Sequence, residues 1–371
     1  PRSMLAADES ERAFAAEAAD AAQYVSTTYY FDKENLPFFV AGLKCASEAA
    51  RAGSTPQSAI GLAYVGVLAG LFQIDRLTMT YFDRSLAIAQ ELDDANAIAR
   101  HWQLRAMQRA GCGEWIEEEL ERATAYFHRS GDRHEHEVSL TVQALIRTYR
   151  GDYGAARQLY LQLGDSSRGR SVQHTVWATY KLGELMLLER DRHQEALPAL
   201  LESLDLLAIE PEEPTEAAIG WLIGTVRARE GDAQAASDLI HASFQRLKES
   251  PPNTHGMMLA YTFGIWTLLD LHDAGPSEEL AYRTRFALRQ MAVFAFLFPF
   301  AKSRLAVLRA RHALSGGKAA AARKQLDRAL RTGGEQGMAL DVALAGLVGG
   351  DEGARAELER LGATWFAAWR A

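Results

Sequence analysis

The sequence predicts an all-α chain, a right-handed α-solenoid of about eight helix-turn-helix hairpins with a period of about 40 residues. Three observations carry this. A small residue returns at Gly66, Ala106, Ala144, Gly183, Gly224 and Gly264, with gaps of 40, 38, 39, 41 and 40. In most units a turn follows seven or eight residues on, as in Arg150-Gly151-Asp152, Arg190-Asp191-Arg192 and Glu230-Gly231-Asp232. Small residues then open a second helical stretch: Ala155-Ala156, Ala196, Ala235-Ala236. A fixed period of this length marks a stacked repeat. The small side chain lets two helices approach closely, and a Gly ends a helix in the left-handed conformation without steric cost.

Taken in order, residues 1–35 read as an N-terminal capping helix. Residues 1–10 are expected to fray, and Glu11–Phe31 carries Phe14, Ala18, Ala21, Ala22 and Val25 on one stripe. Residues 36–275 read as the repeats. Leu36–Ala52 is followed by Gly53-Ser54-Thr55-Pro56, a stop, an N-cap and a Pro at the first helical position. The unit Gln57–Asp94 places Ile60, Leu62, Val65, Leu68 and Ala69 in its first helix and Leu77, Phe82, Leu86 and Ala89 in its second. In Ala95–Asp132, Trp102 and Ala106 share a face, Gly111-Cys112-Gly113 forms the turn and Trp115 begins the return helix. A shorter unit, 133–165, surrounds Ala144, and a polar link follows at 166–172. Pro211 and Pro214 separate the units around Gly183 and Gly224, and Thr254 caps the next helix after Pro251-Pro252-Asn253. Residues 276–332 hold an enlarged, aromatic-rich hairpin (Ser277 to Phe298) and a last repeat with Ala310, Gly316-Gly317, Ala322, Leu326 and Ala329. Residues 333–371 read as C-terminal capping helices ending in Trp365, Phe366 and Trp369.

Composition narrows the function classes. Hydrophobic residues make up 48%, enough for a continuous core, and 29 Gly against 10 Pro suits helices joined by short turns. A net charge of −8 and a pI near 5.8 lack the clustered base of a nucleic-acid surface. The longest apolar run, Met291–Ala301, contains Pro299 and is too short to span a bilayer, so no membrane partner is expected. Two distant cysteines, Cys45 and Cys112, exclude a disulfide framework and favour a reducing, cytoplasmic setting. The chain opens at Pro1, which reads as a fragment of a longer polypeptide with added residues at its front.

The residue pattern resembles the tetratricopeptide (TPR) repeat. It reads Ala144…Gly151-Asp152-Tyr153…Ala156…Tyr160 and Gly224…Gly231-Asp232…Ala236…Ile240, and the resemblance covers roughly residues 36–332. The usual unit is about 34 residues, so these helices are longer. That looks like the long repeats downstream of ATPase modules in bacterial transcription activators and in ATPases fused to nucleotide cyclases or protein kinases. Activators of this type often end in a DNA-binding helix-turn-helix, for which the end of this chain offers no basic candidate.

The resemblance implies a concave face lined by first helices, with the side chain three positions before the small residue pointing into it. Read across units, these are Ala63, Gln103, Thr141, Tyr180, Trp221 and Tyr261. One position after the small residue come Met107, Leu145, Glu184, Thr225 and Ile265. An aromatic ladder, Tyr180–Trp221–Tyr261 with Glu184 beside it, is thus expected to receive a peptide, a helix or a partner domain. The alternative is that these rings are buried between adjacent hairpins, because a long repeat wraps tightly enough to close its groove.

Other motifs read as structure. Gly316-Gly317-Lys318-Ala319 has His312 where a P-loop needs its first Gly and Ala where it needs a hydroxyl, so it is a hairpin turn. His128, His134 and His136 cluster with Asp132 and Glu135, but residues two apart do not share a helix face. Cys112 reads as an accessible thiol without a basic neighbour. Glu117–Arg122 reads as a solvated helix face, or else a site for a basic partner. The Phe-rich stretch 286–300 is either core or a docking surface, and Trp365 and Trp369 dock on the last hairpin or on another chain. No Gly-x-Ser-x-Gly elbow is present.

The function expected is a non-catalytic helical-repeat region that mediates protein–protein contact and senses or relays signals within a larger bacterial-type regulator linked to an ATPase, cyclase or kinase. Its partner would be a protein or peptide, including other domains of the same polypeptide, with no cofactor and no metal. A stand-alone adaptor binding a peptide in its groove is the second reading. An α-helical enzyme is the third, and Glu184 is the sole ionisable group placed among the groove aromatics.

Overall fold

The computed structural model describes residues 9–31, 35–248 and 254–369. Every regular element among them is helical. The first eight helices are α1 (Glu9–Phe31), α2 (Asn35–Ala52), α3 (Pro56–Leu71), α4 (Asp75–Glu91), α5 (Ala95–Cys112), α6 (Glu117–Ser130), α7 (Arg133–Arg150) and α8 (Tyr153–Ser167). They are followed by α9 (Val172–Met186), α10 (His193–Leu207), α11 (Glu213–Arg229), α12 (Ala233–Arg246), α13 (Met258–Ala274) and α14 (Glu278–Leu297). The last five are α15 (Lys302–Ser315), α16 (Ala319–Glu335), α17 (Ala339–Gly349), α18 (Gly353–Arg360) and the single turn α19 (Thr364–Ala367). Two 3₁₀ turns, His255–Met257 and Pro299–Ala301, precede α13 and α15. Consecutive helices pack in pairs (α1 on α2, α3 on α4, α11 on α12, α15 on α16), and pairs stack through α3 on α5, α11 on α13 and α15 on α17. The chain forms two compact units, one ending at Ser139 and one beginning at Leu140, with the boundary inside α7.

The turn chemistry explains the helix ends. At Gly151 (φ 86°) and Gly231 (φ 91°) the backbone turns left-handed and stops a first helix. The Asp that follows caps the second: Asp152 Oδ1 accepts from the Ala155 amide and Asp232 Oδ1 from the Ala235 amide, both at 3.1 Å. The Gly-Asp pair of the repeat is therefore a C-terminal stop and an N-cap in two residues. Thr55 and Ser58 form a reciprocal capping box with Pro56 at the first helical position. Thr254 caps the 3₁₀ turn before α13, while Pro251, Pro252 and Asn253 lie outside the described residues.

The recurring small residues are the points where helices touch. A Cβ on Gly66 would lie 3.2 Å from the Phe82 ring of α4, one on Gly183 3.1 Å from Leu200 of α10, and one on Gly224 2.5 Å from Ile240 of α12. Ala106, Ala144 and Ala310 are fully buried.

Several elements differ from the sequence reading. On α1 the buried face is Ala15, Ala19, Ala22 and Ser26, while Phe14 and Val25 are exposed. The alanine face allows the closest approach to α2 and α3, and Ser26 Oγ donates to the Phe38 carbonyl across it at 3.2 Å. Leu77 is exposed and Leu86 half-buried on α4. Gly111 and Cys112 are the last residues of α5, and Trp115 lies in the linker before α6. Gly333 is not a break: α16 runs on to Glu335.

Candidate functional site

In the second unit the first helices α9, α11 and α13 carry the residues expected to line a groove. They are not open. On α13 burial is unbroken from Met258 to Leu269, and on α11 from Ala217 to Val226. A helix apolar on all sides is a core element with neighbours all round. The absence of a polar face in Met258–Leu269 was the sequence signal that these helices lack a solvent side.

The ladder is corrected accordingly. Trp221 and Tyr261 meet at a tilt with centroids 4.3 Å apart, but Phe244 packs against both, 4.4 Å from Trp221 and 5.6 Å from Tyr261, and Phe294 lies 5.0 Å from Tyr261. Both rings are fully buried. Tyr180 is buried with the Lys181 ammonium 4.8 Å from its ring. Thr225 is buried, its hydroxyl donating to the Trp221 carbonyl at 3.0 Å and lying 3.0 Å from Thr267 Oγ1. In the first unit Gln103 is also buried: Nε2 donates to the Glu135 carbonyl (3.0 Å) and to Ser139 Oγ (2.9 Å), tying α5 to the first turns of α7. Thr141 is half-buried on α7. The three rings Tyr180, Trp221 and Tyr261 are therefore held within the packing, which is the alternative given for them, and Gln103, Glu184 and Thr225 are buried with them in their own units.

What fills the inner face is the unit's own chain. Tyr149 Oη donates to the His255 carbonyl at 2.6 Å, and its ring lies 4.6 Å from that of Phe300. Lys181 Nζ bonds Glu184 Oε2 at 2.7 Å and also donates to the Gly256 carbonyl. Burial pushes the Glu184 carboxyl up, opposed by Lys181 and by the Ala260 amide in the first turn of α13. The same burial pushes the Lys181 ammonium down, opposed by Glu184. Arg304 of α15 reaches Asp341 of α17 through Nε (2.6 Å) and Thr262 of α13 through Nη1 (2.8 Å). Glu184 thus sits where it holds two segments together.

The α19 turn closes the same face. The Trp365 amide donates to the Leu188 carbonyl and the Arg190 amide to Thr364 Oγ1, both at 2.9 Å, at the end of α9. Phe366 stacks on Phe263 (5.5 Å) and meets Trp266 edge-on (5.0 Å), and Trp369 meets Trp266 at 5.5 Å. The C-terminal tryptophans expected to dock do so on their own unit.

The Phe-rich stretch divides in two. Phe294, Phe298 and Phe300 are core, whereas α14 presents Tyr282 (49% exposed), half-buried Phe286, Val293 (43%) and Phe296 (66%) along one side. Their spacing of four, seven and three residues is a single helical stripe. His241 of α12 packs on its N-terminal half, 5.9 Å from Tyr282 and 5.7 Å from Phe286. Arg289, also exposed, lies on the same stripe between Phe286 and Val293, so the row is apolar with one charge in it, and exposed apolar surface marks interaction sites.

The histidine and cysteine motifs lie within the helix packing. His128 of α6 and His136 of α7 pack with ring centroids 5.0 Å apart, and His136 Nδ1–H donates to the Thr124 carbonyl. Cys112 is half-buried; burial raises its pKa despite the opposing charge of Arg109, a basic neighbour the sequence reading missed. Burial pushes the Cys45 thiol up to about 12. Among the described residues no helix is long and apolar enough to cross a membrane. Compared with known proteins, the chain matches no protein-family model and no curated protein.

Proposed function

We propose that this chain is a non-catalytic, TPR-like helical-repeat array, right-handed and with a period near 40 residues, that mediates protein–protein contact within a larger signalling regulator of the ATPase-, cyclase- or kinase-linked type. The observation that carries the interaction role is the outward stripe Tyr282–Phe286–Val293–Phe296 on α14. It replaces the inner face as the contact surface, because that face is filled by the chain's own later segments. A protein partner docking an apolar helix or groove on α14 would bias the stacking of the pairs beneath, the physical basis of a relay. Glu184 supports a structural rather than chemical role, since Lys181 and the start of α13 occupy it. The reading places the chain in the cytoplasm, without cofactor.

The test is capture of partners from the source lysate by the native chain and by a Val293→Glu/Phe296→Glu variant. Both side chains face solvent, so the urea midpoint should change by no more than about 0.5 kcal/mol equivalent, while specific partners are lost. Partners retained by a folded variant would sink the α14 assignment.

A further inference from the structure

The α19 turn is a small element in an unusual place. Four residues long, it follows Gly362 (φ 78°) and lies against the ends of α9 and α11 and the middle of α13. Its contacts are those of a ligand more than of a repeat. Backbone and hydroxyl groups of Trp365 and Thr364 bond the chain just after α9, at Leu188 and Arg190, Phe366 stacks on Phe263 and Trp365 meets Phe263 at a tilt. Two arginines complete the site. The Arg229 guanidinium, at the end of α11, lies 4.2 Å from the Trp365 ring centre, and Arg311 of α15 lies 4.4 Å from Trp266 and 4.8 Å from Trp369.

The two arginines are served differently. Arg311 has Asp270 and Asp273 as carboxylate partners and leaves only its Nε without a hydrogen-bond partner. Arg229 donates Nη2 to the Leu187 carbonyl at 2.8 Å, but its buried Nε and Nη1 have no hydrogen-bond partner. Burial holds its pKa down to about 9, with Asp270 opposing. A guanidinium with two buried, idle donors under a tryptophan is incompletely matched by the present occupant; Nε and Nη1 lie on different edges of the group, so a carboxylate would satisfy one of them in a charge-assisted bond.

We propose that the face formed by Phe263, Trp266, Arg229 and the end of α9 is a binding site for a short aromatic–acidic peptide segment, and that residues 363–369 are its built-in, displaceable occupant. The external segment places one aromatic on Phe263, a second on Trp266 and a carboxylate on Arg229. The carboxylate gives the incoming segment an interaction that the resident one lacks, and so a reason to displace it. The inference rests on the reading of the chain as a protein-interaction module, and it adds a second surface to the α14 stripe.

The experiment uses the whole chain and a fluorescein-labelled peptide Leu-Gly-Ala-Thr-Trp-Phe-Ala-Ala-Trp, matching residues 361–369, together with a version bearing Glu in place of Ala368, one turn from the first Trp. Binding is read by fluorescence anisotropy for the native chain and a Trp365→Ala/Phe366→Ala variant of unchanged helicity. The variant is expected to bind at least tenfold more tightly than the native chain, the Glu peptide at least threefold more tightly than its parent, and a further Arg229→Met change to erase the Glu advantage. A folded variant that binds neither peptide overturns the proposal, and equal binding of the two peptides overturns its acidic part. Hydrogen exchange on the native chain stands independently of any variant. Amides 363–369 exchanging at least 100-fold faster than those of α13 support a displaceable segment, and equal protection makes it core and overturns the idea. None of these results bears on capture through α14, so failure here and failure of the interaction reading remain distinguishable.

Discussion

Lys181 and Glu184 stand one turn apart on α9 with Nζ and Oε2 at 2.7 Å, both buried, and together they hold the turn at Gly256 and the start of α13. The ion pair is a clasp between segments 75 residues apart in sequence. Removing one partner strands the other. Lys181→Met should cost roughly 3–5 kcal/mol, while Lys181→Met/Glu184→Leu should recover most of it, because two apolar side chains need no solvation. Urea unfolding at pH 7 measures both. The single variant should also regain stability as pH falls: its folded Glu184 holds a proton more readily than the unfolded chain, so that contribution is present at low pH and lost as pH rises. A single variant within about 1 kcal/mol of the native chain would mean the pair is not a clasp.

His255 makes the native chain acid-sensitive. It is buried against Tyr149, Phe298 and Phe300, and burial with the Lys181 charge nearby lowers its pKa from 6.5 to about 4. The unfolded chain therefore takes up a proton that the folded chain refuses. The stabilisation is complete above pH 6.5 and declines toward pH 4, at about 1.4 kcal/mol per pH unit for one histidine. Urea midpoints at pH 7, 6 and 5 should fall in the native chain and fall less in His255→Phe. Parallel slopes in the two proteins would remove His255 as the cause.

The repeat glycines and the incidental ones should respond with opposite sign. A methyl on Gly224 meets Ile240 at 2.5 Å and the Ala236 carbonyl at 3.1 Å, so Gly224→Ala should destabilise by about 1–3 kcal/mol through the forced shift of α12. Gly334, inside α16 with nothing within 4 Å of its added Cβ, should gain about 0.5–1 kcal/mol on becoming Ala. Thermal or urea denaturation of the two variants decides it, and a neutral Gly224→Ala would break the link between period and helix approach.

Much of the local architecture was legible from residues alone. The left-handed Gly and capping Asp at 151–152 and 231–232, the Thr55–Pro56 start and the close approaches at Gly66, Gly183 and Gly224 are short-range effects. Each depends on backbone sterics or a hydrogen bond within one hairpin, and so each is written in consecutive residues. The surface proposed for interaction was only half legible. The α14 stretch was marked by its aromatics, but its division into buried Phe294, Phe298 and Phe300 and exposed Phe296 depends on which side of the helix faces α13.

The sequence by itself determined helix positions, their pairing and the spacing that sets Trp221 against Tyr261. Tertiary structure alone decided that the inner face is occupied. Its occupants include segments from far along the chain: His255 on Tyr149 and Trp365 on Arg229. Local spacing governs contacts between neighbouring helices and is silent about segments 106 residues apart, as Tyr149 and His255 are, because such contacts depend on how all the intervening helices pack.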